Sequence, residues 1–245
     1  LDTAAAVLSF RKSLPHWACP EFCVEGGIEA EGLFHPLLKE PVPNDTHIAR
    51  SSLVSGSNAS GKSTFIKALA ISGIFAQTIH TCPARSFRTR FALVVTSMAV
   101  RDDIAAGESY FITEIKSLHR VLNVAQGTYC ACYIDEILKG TNTVERIAAS
   151  AAVLRYIGGL DCLTIAATHD IELTRMLADS WDNYHFSEQI TDEGMRFDYT
   201  VKPGPSRTRN AIRLLGFMEF DNRIITDAQR MVERFEQTGS WDEPR

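Results

Sequence analysis

The sequence predicts an α/β fold with a mostly parallel central sheet flanked by helices, and three observations carry that prediction. Apolar, strand-like runs alternate with helix-patterned runs along the chain, the order that builds a parallel sheet. One of those runs, SSLV, leads into SGSNASGKST and then into a helical pattern, which is the strand, Gly-rich loop and helix order of a phosphate-binding P-loop. Two further apolar runs, TYCACYIDE and LTIAATHD, end in polar residues able to do chemistry. In a parallel sheet the C-terminal ends of strands form the ligand-facing edge.

Each element can be justified in order. LDTAAAVLSFRKSL reads as the end of a helix, and because the chain starts at Leu1 without methionine, as a helix continuing from something longer. Pro15 and Pro20 end that pattern. Residues 21–50 hold short strand candidates and the turn-rich LKEPVPND. KSTFIKALAISGIFAQTI is helical, with Phe65, Ile66 and Leu69 near one face. TCPARSFRTRF is a loop or strand edge bearing Arg85, Arg88 and Arg90, and FALVVTSMAV a buried strand. The segment 109–124 is helical, with Ile112, Ile115, Leu118, Val121 and Leu122 on one stripe. After the strand TYCACYIDE and the loop LKGTNT, a helix runs from about Val144 to Tyr156 and stops at Gly158-Gly159. LTIAATHD and MRFDYTVK are strands, and SRTRNAIRLLGFM and IITDAQRMVERFEQ are two helices in a C-terminal hairpin.

Bulk properties narrow the function classes. The 245 residues suffice for one large α/β domain or two small ones, and a 45% hydrophobic fraction is ordinary for a packed globular core. A formal net charge of −5 argues against the whole surface being a nucleic-acid cradle, which needs clustered Lys and Arg. The clusters Arg85/Arg88/Arg90 and Arg207/Arg209/Arg213 read as solvated faces or interdomain contacts. No apolar run approaches the roughly 18 residues of a membrane helix, and no secretory signal pattern is present, so no membrane association is expected. The cysteines at 19, 23, 82, 130, 132 and 162 form no CxxC pair. Cys130 and Cys132 lie in an apolar run, where cysteine acts as a small hydrophobe. The expectation is a cytoplasmic protein with reduced thiols and no zinc site.

The loop 56–64 carries the clearest chemistry. Its backbone N–H groups, from Gly56, Ser57, Asn58, Ala59, Ser60 and Gly61 into Lys62, Ser63 and Thr64, can face a β-phosphate with the positive end of the next helix behind them. Lys62 would reach the β- and γ-phosphates, and the Ser63 hydroxyl would ligate Mg²⁺. Asp135 and Glu136, closing an apolar strand, suit two roles: Asp135 holds Mg²⁺ through water, and Glu136 orients and deprotonates an attacking water. His169, ending another buried strand, is placed to sense a γ-phosphate.

Taken in order, GSNASGKST, DDIAAGESYFITEI, YIDEILKGTNT and ATHDIELT resemble the ATPase domain of the MutS family, DNA mismatch-repair proteins and their relatives within the ABC ATPase superfamily. The resemblance covers nearly the whole chain. It implies a P-loop NTPase of ABC type that binds ATP and Mg²⁺, hydrolyses ATP and works as a homodimeric, nucleotide-driven clamp. DNA would be held by domains upstream of Leu1. It implies that residues 1–20 are the end of a lever-like helix with its linker, 21–202 the ATPase core, and 203–245 a helical hairpin for dimerisation. By the same resemblance Asn58 is the asparagine within the loop, and Ser109 belongs to the signature loop that completes the partner subunit's site. Lys62, Ser63, Asp135, Glu136 and His169 take the roles already given. The family stacks an aromatic ring on adenine; Tyr199 stands at about that place, and a strand tyrosine packing on the sheet is the alternative.

Departures from the better-known repair members point to a divergent branch. Ser57 stands where proline is common, Ala59-Ser60 where methionine-glycine is usual, and Arg85 where glutamine or glutamate is frequent; GESYF replaces the more usual G-S/R-STF. Two rival readings are weaker. A transporter-type ABC ATPase would carry LSGGQ where this chain has AAGESYF, and a non-hydrolysing scaffold could do without Glu136.

Overall fold

The computed structural model describes residues 1–98, 110–139, 141–191, 194–206 and 211–241. The elements in chain order are α1 (Asp2–Ser13), β1 (Glu21–Cys23), β2 (Ile28–Leu33), β3 (Asn44–Ile48), β4 (Ser52–Ser55), α2 (Lys62–Thr78), β5 (Ser86–Arg90), β6 (Leu93–Ser97), α3 (Tyr110–Ala125), β7 (Cys130–Asp135), α4 (Thr143–Gly158), β8 (Cys162–Thr168), α5 (Ile171–Met176), β9 (Asp182–His185), β10 (Glu188–Thr191), β11 (Gly194–Phe197), β12 (Lys202–Pro203), α6 (Ala211–Phe217) and α7 (Asn222–Thr238). The chain divides into two compact units, residues 1–187 with 198–206, and residues 188–197 with 207–245.

In the first unit a six-stranded sheet has the order β12-β9-β4-β8-β7-β6. Every pairing from β9 to β6 is parallel, and only β12 runs antiparallel at its edge. This is the mixed α/β, mostly parallel architecture that the alternation of patterns predicts. Parallel strands covered on both faces read as continuous apolar runs, and β4, β7 and β8 do: all of β4 is buried, as are all but the last residue of β7 and the first of β8. β6, expected to be buried, is the sheet edge and alternates between half-exposed and buried residues.

Successive side chains on a strand point to opposite faces, so the sheet builds two cores. On one face Val54, Tyr133 and Ile165 join Phe65, Ile66 and Leu69 of α2. The same cluster takes in Ile28, Leu33, Ile48 and Phe87 from a second, four-stranded sheet of order β1-β5-β2-β3. α2 is therefore covered on both sides, and nine of its residues are buried. On the other face Leu53, Cys132 and Ile134 meet Leu118 and Val121 of α3, Leu154 and Ile157 of α4 and Leu173 of α5. Within the predicted α3 stripe, Leu118 and Val121 are buried while Ile112 and Ile115 are exposed.

The second unit contains the antiparallel pair β10–β11 and the helices α6 and α7. α6 and α7 touch where Ile225 approaches Gly216. The Asp221 carboxylate caps α7 by accepting from the Arg223 N–H at 2.8 Å. No residue of α7 is buried.

Candidate functional site

The loop between β4 and α2 owes its path to two glycines. Gly56 has φ 144°, and a Cβ there would lie 2.8 Å from the Phe186 carbonyl oxygen. Gly61 is left-handed at φ 111° and caps α2. Only glycine meets both demands without strain. Lys62, 4% exposed, curls back so that its Nζ donates to the carbonyls of Gly56 at 2.8 Å and Ser57 at 2.7 Å. The hydroxyls of Ser57 and Ser60 are buried without a hydrogen-bond partner. Orphaned polar atoms of that kind mark a place where a polar ligand fits.

One residue further along α2, the Ser63 hydroxyl donates to Asp135 Oδ1 at 2.8 Å. Asp135 is the last residue of β7, which lies next to β8, which in turn lies next to β4. The parallel register is what brings the two ends together: Ser55 pairs with Thr168, and Asp135 with Ala167. Ser63 and Asp135 thus present two adjacent oxygen donors, the hard donor set that suits Mg²⁺.

Glu136 follows with φ 57°, held there by its own N–H donating to the Ala167 carbonyl at 3.2 Å. Its Oε2 lies 2.6 Å from Lys139 Nζ and 3.7 Å from His169 Nδ1. His169 and then Lys139 hold the Glu136 carboxyl down at about 2 against the opposing effect of partial burial. Glu136 is therefore ionised at neutral pH. His169 in turn is steadied by its neighbour. Asp170 is buried, receives two hydrogen bonds from the Arg146 guanidinium at 2.6 and 3.0 Å, and has an oxygen 3.8 Å from His169 Nε2.

A cavity of about 380 Å³ opens at this edge, a volume suited to a small-molecule ligand. Asn58, Ala59, Ser60, Gly61, Lys62, Ser63, Thr64, Glu136 and Tyr199 line it, together with residues of the 33–44 segment. Tyr199 lies in the connection between β11 and β12, outside any strand, with its ring 3.4 Å from the Cβ position of Gly61. Asn44 fixes that connection by donating to the Tyr199 carbonyl at 3.0 Å and accepting from the Val201 N–H at 2.6 Å.

Of the site residues read from the sequence, the structure brings the 56–64 loop, Asp135, Glu136, His169 and Tyr199 to one edge of the sheet. Ser109 lies outside the described residues. Sequence reasoning missed Lys139, Arg146, Asp170 and Glu114. Asp170 stands beside His169 in ATHD and Lys139 three residues after Glu136, so proximity was the available signal for both. Glu114 of α3 is 2% exposed, accepts from the Lys139 N–H at 3.3 Å and has its second oxygen buried without a partner; burial pushes its carboxyl up. The arginines read as solvated faces have acidic neighbours. Arg85 lies 3.5 Å from Asp45 and Arg88 3.4 Å from Glu29, while Arg90 lies 3.5 Å from Asp161 and stacks over the Tyr129 ring. Arg207 and Arg209 are outside the described residues.

A family model described as MutS domain V matches residues 52–236. The chain belongs to the MutS family. Two relatives, each called DNA mismatch repair protein MutS, come from Natronomonas pharaonis and Aquifex pyrophilus. The first is 30% identical over 217 residues, covering 84% of this chain and 25% of the relative. The second is 30% identical over 234 residues, covering 90% and 27%. The chain thus spans about a quarter of the length of the curated relatives it matches. The MutS domain V match opens at the first residue of β4, the strand that feeds the 56–64 loop, and so includes every residue of the site except the 33–44 segment. No helix among the described residues of this MutS-family chain is long and apolar enough to cross a membrane.

Proposed function

We propose that this chain is the ATP-binding and ATP-hydrolysing domain of a MutS-like DNA-binding protein, a P-loop NTPase of ABC type that works as a cytoplasmic, nucleotide-driven dimeric clamp. The observation that carries the reading is the convergence of Lys62, Ser63, Asp135, Glu136 and His169 on one edge of the parallel sheet. In this reading the Lys62 ammonium exchanges the Gly56 and Ser57 carbonyls for phosphate oxygens, and the N–H groups of the loop meet the β-phosphate. Ser63 and Asp135 would hold Mg²⁺, which would supply the positive charge that phosphoryl transfer needs. Glu136, already ionised, accepts a hydrogen bond from the attacking water and aligns it. His169 stands where it can report on the γ-phosphate, and Tyr199 offers a ring for the adenine.

The family resemblance extends the proposal beyond the described residues. Ser109, just before α3, would complete the site of the partner subunit. Residues 1–20 would end a lever helix, 21–202 form the ATPase core, and 203–245 dimerise as a hairpin. DNA contacts would come from domains upstream of Leu1.

The test is a pair of variants. Lys62→Ala is expected to lose tight binding of a fluorescent ATP analogue. Glu136→Gln should bind it as the parent does while turnover falls by at least about a hundredfold, the scale of losing the charged group that aligns the attacking water. Hydrolysis by Glu136→Gln at the parent rate would show that another group activates the water.

A further inference from the structure

The same two strands that end in Asp135 and Thr168 begin in cysteines. Cys130 and Cys132, two residues apart on β7, share the sheet face packed by α3, α4 and α5. The parallel register sets Cys162 of β8 directly beside Cys130, and Thr164 beside Cys132. Three sulfurs that are far apart in sequence thereby converge. Cys130 Sγ and Cys132 Sγ are 3.3 Å apart, and all three Sγ atoms lie within 4.8 Å of one another. Cys130 and Cys132 are buried and Cys162 is half-buried.

Buried thiols can simply be small hydrophobes, and two of them on one strand would need no other account. The third changes the chemistry. Three converging sulfurs without a carboxylate or imidazole make a soft donor set. Zinc–sulfur bonds of about 2.3 Å at tetrahedral angles put sulfurs about 3.8 Å apart. That spacing lies between the 3.3 Å of Cys130 and Cys132 and the 4.8 Å bound of the cluster, so side-chain shifts of about an ångström or less suffice. The half-buried side at Cys162 leaves a way in, and the Thr164 hydroxyl, 3.6 Å from Cys162 Sγ, or a water can take a fourth position.

We propose that Cys130, Cys132 and Cys162 form a three-thiolate site for a divalent thiophilic cation of the zinc class, at the end of the sheet opposite the nucleotide edge. Charge counting selects the divalent ion. One M²⁺ bound by the three cysteines displaces their thiol protons to water, leaving a three-thiolate centre of net charge −1. No electron moves. A monovalent ion in the same three-thiolate site would leave −2 in an apolar layer, which is harder to bury. The bound ion would staple β7 to β8 across their first residues. It is independent of the nucleotide reading, since no residue of the cavity takes part.

The test uses the full chain with Cys19→Ser and Cys23→Ser, which removes the two accessible thiols elsewhere. Zn²⁺ is titrated against a chromophoric chelator, and Cd²⁺ is followed by its ultraviolet sulfur-to-metal charge-transfer band. One ion per chain is expected, with thiol protons released and affinity rising with pH as those protons become easier to displace. Cys162→Ser should weaken Zn²⁺ by at least about a hundredfold, since losing a ligand costs no less than losing its supporting partner. Equal Zn²⁺ affinity with and without Cys162, or no charge-transfer band with Cd²⁺, would overturn the site. A readout on the unsubstituted chain needs no variant to fold: Zn²⁺ should protect Cys162 from alkylation, located by peptide mass spectrometry, and alkylation of Cys162 at an unchanged rate would count equally against it.

Discussion

At the scale of single residues, Glu136 is held in a conformation that side chains seldom adopt and in a charge state that its neighbours enforce. Its left-handed φ of 57° aims the carboxylate toward Lys139 and His169. Residues held that way cluster where a site needs a group fixed before the ligand arrives. The cost in chemistry is basicity, because a carboxyl held at about 2 is a weak proton acceptor. Its larger contribution is then alignment of the water. The linkage has a definite sign. A carboxyl whose pKa is lowered on folding adds stability that is complete above the unfolded value of 4.5 and is lost as pH falls toward about 2. Denaturant unfolding of the parent should therefore weaken across that interval more steeply than unfolding of Glu136→Gln, which has no proton to take up there. Parallel loss of stability in both proteins would mean that Lys139 and His169 do not hold the charge.

At the scale of elements, α3 is tied to the Glu136 turn by one buried group. Glu114 accepts from the Lys139 N–H, three residues past Glu136, while Leu138 between them is also left-handed at φ 57°. Removing the acceptor takes that part-buried N–H's partner away, so Glu114→Ala should lower stability by about 1 kcal/mol, measured by urea denaturation. Glu114→Gln keeps an acceptor and sheds a charge whose burial is unfavourable, so at neutral pH it should be at least as stable as the parent. If the alanine variant is as stable as the glutamine variant, the link bears no load. Glu114 also shows what a sequence hides. β4, β7 and β8 were legible because strands buried on both faces are almost wholly apolar, and the residues at their ends followed. β9, DNYH, was not: it is half-buried throughout and carries no apolar run, yet it pairs in parallel with β4. Glu114 reads as an ordinary helix-surface glutamate, and only the packing of α3 buries it. Cys162 likewise joins Cys130 through strand register, which periodicity does not reveal. The arginine partner of Asp170 is 24 residues away in sequence, so the pair had no local signature.

At the scale of the whole molecule, self-association can come from two different surfaces, and their dependence on nucleotide separates them. Within the second unit, α7 spans about 25 Å at 1.5 Å per residue and buries none of its residues. Ile224, Met231 and Phe235, at helical spacings of seven and four, are all exposed. An exposed apolar stripe of that kind marks an interaction surface. A second copy of the same helix is its occupant in the proposed dimer. Association through α7 would require no ATP. Association through Ser109, by contrast, would on the proposed reading exist only while a γ-phosphate is present to be shared. On a Glu136→Gln background, which stops turnover, sedimentation velocity should show Ile224→Asp with Met231→Asp lowering the dimer fraction both with and without ATP. Two charges placed in an apolar contact would each have to be desolvated or repelled. Ser109→Ala should leave the nucleotide-free fraction as it was and remove the increment that ATP adds. If the α7 variant keeps its nucleotide-free dimer, the apolar stripe serves another partner; if Ser109→Ala keeps the increment, ATP does not bridge the subunits through that hydroxyl.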